Sequence, residues 1–249
     1  MRFSSDAGVP GMRSPYGMNI VESCATCGLR GQRAFCRLSS AILGSLDKLK
    51  CTTAYPKGAV LFVEEQAPRG LFVLCQGRVK LSISASDGKT LILRIAEAGE
   101  VLGLAAAVSG RPYEATAETQ EPCQVTFVKG EGLARLMREH SELALRVAEL
   151  LSETYHSACR EIRALTLPRS AADRLAKLLL EWSVKAGDTR HPGRLTLKLS
   201  HEEIAQMIGT SRETVTRVFA DFKKKELIQQ TGSTVVIRNP AVLETLIAA

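Results

Sequence analysis

The hydrophobic positions along the chain follow several successive patterns. Between about Leu46 and Val128, apolar residues alternate or form short runs, as in LFVLCQGRVKLSIS at 71–84, and glycines recur between them. Short runs separated by turn signals such as SDGK at 86–89 are typical of antiparallel strands joined by tight turns. The pattern therefore predicts an antiparallel β-barrel or jelly roll.

A helical period follows from about Gly130 to Leu167, with no proline and no glycine after residue 132. A stripe of apolar and small residues recurs there every three or four positions: Val147, Leu151, Thr154, Ala158, Ile162 and Leu165. A stripe this long must pack against something. It lies either on the core of its own domain or in the seam of a two-stranded dimer, and we expect the dimer seam.

The C-terminal third predicts a helix-turn-helix with a β-wing. Pro168 ends the long helix, and Ser170 caps another that Gly187 terminates. The stretch HEEIAQMIGTSRETVTRVFADFKKKELI then has a small alanine, a glycine four residues later and a valine six beyond it. The alanine lets two helices approach, the glycine takes the turn and the valine packs the second helix onto the first. LIQQTGSTVVIR supplies two strands of a wing.

The second helix of this pair carries polar residues that we expect to contact DNA. Ser211 caps it, and Arg212, Glu213, Thr216 and Arg217 lie near its start. Arginine pairs with O6 and N7 of guanine, and glutamate accepts a hydrogen bond from N4 of cytosine. A capped helix pair with a solvated face can also bind protein, but the spacing, the polar face and the wing together favour double-stranded DNA.

Composition agrees with this interpretation. The chain has 33 Lys and Arg against 26 Asp and Glu, a net charge of +7, and a mild basic excess suits a polyanionic partner. No apolar run approaches the roughly 20 residues that span a bilayer, and the N-terminus lacks an apolar signal core. We therefore expect a cytoplasmic protein without a membrane partner. No nucleophile–base pair or metal triad is evident, so we expect a regulator and not an enzyme.

The order of β-barrel, long helix and winged helix resembles the CRP/FNR family of bacterial transcription factors. GRVKL at 77–81 and GEVLG at 99–103 look like the family's barrel signatures, and the segment from Glu203 looks like its DNA-binding helices. The resemblance covers nearly the whole chain from about Cys24. It implies a homodimer paired through the long helices, contact with RNA polymerase, and a palindromic DNA site with half-sites about 34 Å apart.

We accordingly expect an α+β fold in four parts. These are a flexible arm and cysteine segment at 1–38, a cyclic-nucleotide-binding-like β-barrel at 39–134, a dimerisation helix at 135–167 and a winged-helix DNA-binding domain at 168–249. Within the last part, Glu213 and Arg217 resemble family contacts to a GA core. Arg212 resembles the residue found in family members that bind TGTGA-like sites, whereas Thr216 resembles the residue found in members that bind TTGAT-like sites. Both half-site sequences are therefore alternatives.

The residues around the expected effector pocket argue against cAMP. Family members that bind cAMP have a glutamate just after the GEVLG-type turn, where this chain has Leu104, and an Arg–Ser pair where it has Tyr113 and Glu114. A phosphate pocket that lacks its arginine and gains a carboxylate would repel a cyclic nucleotide.

The cysteines match the oxygen-sensing branch of the family better. Seven cysteines in a cytoplasmic chain are not expected to form disulfides. The resemblance implies that Cys24, Cys27 and Cys36 in a C-x2-C-x8-C segment, with Cys123 in the barrel, hold a [4Fe–4S] cluster. The gap before Cys36 is longer than in the family's best-known oxygen sensor. A zinc site on the same thiolates, a thiol switch at Cys24 and Cys27, inert thiols and a small-molecule effector in the barrel are the alternatives.

Overall fold

The computed structural model describes residues 15–18, 20, 21, 23–25, 27, 28, 30–166, 170–186 and 193–248. The chain divides into two compact units, Met1–Ile83 with Arg94–Thr154, and Ser84–Leu93 with Tyr155–Ala249. The four-part organisation expected from the sequence is a finer division and stays a prediction.

Two four-stranded sheets form the predicted jelly roll. Its strands, in chain order, are β1 (Lys50–Tyr55), β2 (Val60–Phe62), β3 (Gly70–Gln76), β4 (Arg78–Ser84), β5 (Thr90–Glu97), β6 (Val101–Leu102), β7 (Thr116–Thr119) and β8 (Cys123–Lys129). One sheet has the order β1-β8-β3-β6 and the other β2-β7-β4-β5, with antiparallel pairing. The predicted turn at SDGK joins β4 to β5, where Gly88 takes a φ of 81° that suits glycine.

Helices flank these strands: α1 (Ser40–Leu49), α2 (Leu104–Ser109), α3 (Gly130–Glu139) and α4 (Ser141–Thr166). Helix α1 lies where the sequence pattern predicted no helix. Its apolar residues Ile42, Leu43 and Leu46 recur at helical spacing and are all buried. Among the described residues, no helix combines the length and apolar character needed to cross a bilayer.

A single helix from Gly130 to Leu167 was expected, and this was wrong. The chain forms two helices, with His140 extended between them at φ −133° and ψ 100°. Neither glycine nor proline marks the break. It allows Leu136 of α3 and Leu143 of α4 to enter the same buried cluster.

That cluster, here called the outer core, lies where α1, α3 and α4 meet strands β3 and β8. Its buried members are Phe35, Leu38, Ile42, Leu43, Leu46, Leu71, Val73, Leu104, Val128, Leu133, Leu136, Leu143 and Val147. The stripe on α4 is therefore divided. Val147 is buried in the outer core and Leu151 packs against it, whereas Thr154 and Ala158 are exposed and Ile162 is 59% exposed. The first part of the stripe serves its own domain, and only the second part remains available for a seam.

The C-terminal residues form the predicted winged helix-turn-helix. Its elements are α5 (Ala171–Ala186), β9 (Arg194–Thr196), α6 (His201–Ile208), α7 (Arg212–Lys224), β10 (Ile228–Thr231), β11 (Thr234–Ile237) and α8 (Pro240–Ala248). The three strands form one sheet in the order β10-β11-β9. Ser170 caps α5 as expected, because its hydroxyl accepts the Asp173 amide at 3.1 Å.

Candidate functional site

Local hydrogen bonds fix the two helices of the helix-turn-helix. The Ser200 hydroxyl accepts the Glu203 amide at 3.2 Å, and the Glu203 carboxylate accepts the Ser200 amide at 2.8 Å, which completes a capping box on α6. Gly209 ends α6 in the left-handed region at φ 61°. The Ser211 hydroxyl then accepts the Thr214 amide at 3.2 Å and caps α7. Ala205 and Val215 are both buried, as their spacing predicted.

The five residues predicted to read DNA lie at the start of α7. Ser211, Arg212, Glu213, Thr216 and Arg217 are all exposed. Hydrogen bonds from its own amide and from Ser211, together with the positive charge of Arg212, lower the pKa of Glu213, so the carboxylate is held in its accepting form. The structure thus presents these groups together on one solvent-facing helix start, and their contact with DNA stays a prediction.

His201 is a member of this surface that the sequence analysis missed. Its ring stacks on Phe219 with centroids 4.8 Å apart, and its Nδ1 lies 3.0 Å from the Thr216 hydroxyl. Thr216 also donates to the Arg212 carbonyl at 3.0 Å. Burial, followed by the charges of Lys223 and Arg212, lowers the pKa of His201. Because it joins α6 to α7, His201 holds one of the predicted contact residues in place. No sequence signal marked it, since its partners lie on another helix.

A cluster of lysines extends the surface toward the wing. Lys223, Lys224 and Lys225 at the end of α7 are exposed. Lys223 Nζ donates to Gln230 Oε1 on strand β10 at 3.5 Å. Such cations suit phosphate oxygens, which position a protein on DNA without reading its sequence.

In the first unit, one pocket brings four cysteines together. Cys24, Cys27, Cys36 and Cys75 all line it, and apolar side chains form most of the remaining wall. Arg33 and Lys50 are its cationic lining residues. We call this the cysteine pocket. Three of the four predicted cluster ligands therefore lie in one place, together with Cys75, a thiol that the sequence analysis did not select.

The segment that carries the first two thiols is bonded to α1 through Asp47. The Asp47 carboxylate accepts the Ser23 hydroxyl at 2.7 Å, the Cys24 amide at 2.9 Å and Lys50 Nζ at 2.7 Å. Lys50 Nζ also lies 3.2 Å from Cys24 Sγ. Burial opposes the charges of both Asp47 and Lys50, but these hydrogen bonds outweigh it, lowering the pKa of Asp47 and raising that of Lys50.

Cys123, the fourth predicted ligand, does not line the cysteine pocket. It is fully buried, and its Sγ lies 3.1 Å from the Glu121 carbonyl and 3.3 Å from the Arg78 carbonyl. A Cβ at Gly77 would come within 2.5 Å of this sulfur, so the thiol fills the space under the turn between β3 and β4. Of the other cysteines, Cys51 is exposed and Cys159 is partly exposed.

Burial controls the protonation of these thiols. Desolvation, aided by the neighbouring Cys24 and Cys75, raises the pKa of Cys36 to about 11. Desolvation also raises the pKa values of Cys24 and Cys123. These groups are therefore thiols at neutral pH, and a metal that binds them must displace their protons.

The donors in the pocket are thiols, which both iron–sulfur clusters and zinc use as ligands. Four thiolates are what a [4Fe–4S] cluster requires. Zinc needs its ligands to converge on one point, with zinc–sulfur bonds of about 2.3 Å. Within the described part of the chain, no group of three or more His, Cys, Asp or Glu side chains is arranged to hold a single metal ion.

The positions that the sequence analysis compared with cAMP-binding members of the family lie in the barrel and near its surface. Leu104 is buried in the outer core. Tyr113 is buried, stacks on Phe62 with centroids 4.1 Å apart, and donates to the Gly70 carbonyl at 2.7 Å. Glu114 and Arg111 are exposed. Leu104 and Tyr113 therefore both belong to the packed interior, and the expectation that this chain does not bind cAMP stays a prediction.

Comparison with known proteins identifies both domains. Residues 52–140 match the cyclic nucleotide-binding domain, and residues 173–246 match the Crp-like helix-turn-helix domain. A similar curated protein is the cAMP-activated global transcriptional regulator CRP of Pasteurella multocida, 25% identical over 74% of this chain and 88% of the relative.

Solved structures of the same fold include FixK2 from Bradyrhizobium japonicum, with a TM-score of 0.69 and 24% identity over 80% of this chain and 98% of that one. Another is the c-di-GMP-responsive global regulator CLP from Xanthomonas campestris, with a TM-score of 0.71 and 21% identity over 80% of this chain and 99% of that one. At these identities the likeness concerns the fold.

Proposed function

We propose that this chain senses oxygen or redox state through an iron–sulfur cluster. The regulator that would carry this sensor joins a cyclic nucleotide-binding domain to a Crp-like helix-turn-helix domain, and it is a DNA-binding transcription regulator of the CRP/FNR family. The family consists of transcription regulators and not of enzymes. The proposed setting is the cytoplasm, and the proposed partners are RNA polymerase and a second copy of this chain.

The DNA contacts are proposed to come from the start of α7 in each protomer. Arg212, Glu213 and Arg217 would enter the major groove, while Ser211 and Thr216 hold and extend that surface. A homodimer places two such helices on a palindromic site, with half-sites one helical turn apart. The exposed part of the α4 stripe, at Thr154 and Ala158, is the proposed seam.

The cysteine pocket is the observation that carries the sensing proposal. Cys24, Cys27 and Cys36 line one pocket, with Lys50 and Arg33 available to balance negative charge. When bound, a [4Fe–4S] cluster would supply a centre that reacts with oxygen. The clustering of the thiols supports a bound group over inert cysteines, and the resemblance of the C-x2-C-x8-C segment to the oxygen-sensing branch supports a cluster over zinc.

The outer core offers a route from the pocket to α4. Phe35, Leu43 and Leu46 line the cysteine pocket and also belong to the outer core. Leu143 and Val147 of α4 are buried in that same core. Since packed cores shift between discrete arrangements and do not deform continuously, a change in the position of the cysteine segment alters the packing of α4. The pairing of two α4 helices is thereby biased.

Some relatives respond to nucleotides, as the names of the cAMP-activated regulator and the c-di-GMP-responsive regulator state. We do not propose that this chain binds cAMP, because Leu104 and Tyr113 stand where the resemblance places the groups that recognise cAMP in the family. A different small-molecule effector in the barrel remains the alternative to test if the cluster is absent.

The test is to purify the protein without oxygen and measure its visible absorption, iron and acid-labile sulfide before and after exposure to air. DNA affinity is followed in parallel by fluorescence anisotropy, with palindromes of TTGAT-like and TGTGA-like half-sites. We expect broad absorption that bleaches in air and DNA affinity that falls with it. Cys27→Ser should abolish both responses, and Cys51→Ser, outside the pocket, should preserve them. Colourless protein after anaerobic reconstitution, or zinc in place of iron, would contradict the proposal.

A further inference from the structure

Strand geometry separates Cys75 from Cys123. Side chains alternate between the two faces of a strand. On β8, Thr126 and Val128 line the cysteine pocket. The Gln124 side chain, on the same face, exchanges hydrogen bonds with the backbone of Val21 in the cysteine segment, at 2.6 and 3.0 Å. Cys123 is one residue before Gln124 on the same strand, so its side chain points to the opposite face and its thiol lies on the other side of the sheet.

Cys75 faces the pocket by the ordinary alternation of its strand, because Val73, two residues before it on β3, lines the same pocket. The pairing of β3 with β8 shifts register between Leu74 and Gln76, which leaves Cys75 as the additional residue of a bulge. The bulge therefore changes the facing of the strand only after Cys75, where Gln76 pairs with Gln124. The Cys75 thiol is buried and lies 3.4 Å from the hydroxyl of Thr126, on the pocket side of β8.

The charges near Cys75 suit an anionic occupant. The guanidinium of Arg33 donates to the carbonyl of Cys75, and Arg33 is only 6% exposed. Lys50 Nζ reaches Cys24 Sγ at 3.2 Å. Four thiolates outweigh the positive charge of an iron–sulfur core, and buried charge needs a partner. Arg33 is thus the cation beside Cys75, while Lys50 divides its hydrogen bonds between Asp47 and Cys24.

We infer that Cys75, and not Cys123, supplies the fourth thiolate beside Cys24, Cys27 and Cys36, so that the cluster is held against the outer face of the β1-β8-β3-β6 sheet. This inference depends on the proposed function, because it names the ligands of the same cluster. It assigns Cys123 a packing role under the turn at Gly77.

The experiment compares Cys75→Ser with Cys123→Ser in the full chain, each reconstituted without oxygen. The measurements are iron and sulfide per protomer and visible absorption, with circular dichroism to establish that each variant is folded. We expect Cys75→Ser to lose at least half of its iron and sulfide and Cys123→Ser to keep the wild-type amounts.

A second variant that restores a thiol near position 75 tests the ligand assignment if Cys75→Ser folds poorly. In Cys75→Ser/Thr126→Cys, a thiol returns to the facing strand within about 3.4 Å of its original place. We expect this double variant to regain the cluster, and Cys75→Ser/Cys51→Ser to remain without it.

The outcomes separate the two claims. If Cys123→Ser loses the cluster and Cys75→Ser keeps it, the ligand assignment is overturned and the proposed function stands. If both single variants keep it, neither thiol is a ligand and the assignment is overturned as well. If the wild-type protein takes up no iron and sulfide, the proposed function itself fails.

Discussion

His201 shows how one residue can join two helices of the DNA-binding domain. It stacks on Phe219 and hydrogen-bonds to Thr216, and burial holds its pKa below the ordinary 6.5. The unfolded chain therefore takes up a proton at this position more readily than the folded chain. The stabilisation is complete above about pH 6.5 and is lost as the pH falls through the lower pKa of the folded state.

We expect His201→Gln to flatten the pH dependence of stability in this domain. Between pH 7 and pH 5, the urea midpoint of the wild type should fall more than that of the variant. Trp182, the single tryptophan, packs against the core of this domain and reports its unfolding by fluorescence. The matched control is His156→Gln, which removes an exposed imidazole from α4. Equal pH dependence in wild type and His201→Gln would contradict the assignment.

Glu213 is the residue for which DNA specificity is most directly testable. Its carboxylate is exposed and ionised at the start of α7. We expect Glu213→Ala to reduce discrimination at one C·G pair of each half-site by about 1–3 kcal/mol. Anisotropy with matched and singly substituted palindromes measures this. Glu244→Ala, a carboxylate removed from α8, should leave the discrimination unchanged. Uniform weakening on all sequences would instead mean that Glu213 does not read a base.

The cysteines mark the limit of residue-level prediction. The C-x2-C-x8-C segment was enough to select Cys24, Cys27 and Cys36, and the structure places all three on one pocket. Cys75 was missed because it is distant in sequence from the other three thiols and meets them only where the cysteine segment packs on the sheet. No local pattern contains that packing.

At the scale of the elements, helix α4 passes from a buried environment in its first half to an exposed one in its second half. Val147 is buried in the outer core, while Thr154 and Ala158 further along are exposed. Periodicity correctly indicated a helix with one apolar face, but it did not indicate where that face changes partner. It also missed the break at His140, because the break follows from the burial of Leu136 and Leu143 and from no local signal.

We expect Ala158→Arg to convert a dimer into monomers and to weaken binding to a full palindrome at least tenfold, since two charged, long side chains would meet in the proposed seam. Sedimentation velocity gives the oligomeric state and anisotropy the affinity. The control is Ser152→Arg, whose side chain projects from the same helix about 120° around its axis from that of Ala158. It should leave the oligomeric state and the affinity unchanged. If Ala158→Arg stays dimeric with wild-type affinity, the seam lies elsewhere.

On the scale of the whole molecule, the order of domains was readable from the chain. The jelly roll and the winged helix-turn-helix both form as predicted, because alternation, turn residues and helix caps are local signals that agree with the final packing. Helix α1 was not predicted, because its ten residues adjoin a strand-like region and fold as a helix only where the outer core receives them.

The attachment of the cysteine segment has a consequence for how tightly its site binds. Asp47 fixes Ser23 and the Cys24 amide, and Gln124 fixes the backbone of Val21, all through oxygen and nitrogen atoms. The loss of conformational entropy on ordering this segment is thus offset by hydrogen bonds that leave the Cys27 and Cys36 sulfur atoms unused. Preorganisation of this kind removes an ordering penalty from ligand binding, so a cluster bound at the proposed site would keep the full strength of its sulfur bonds for affinity.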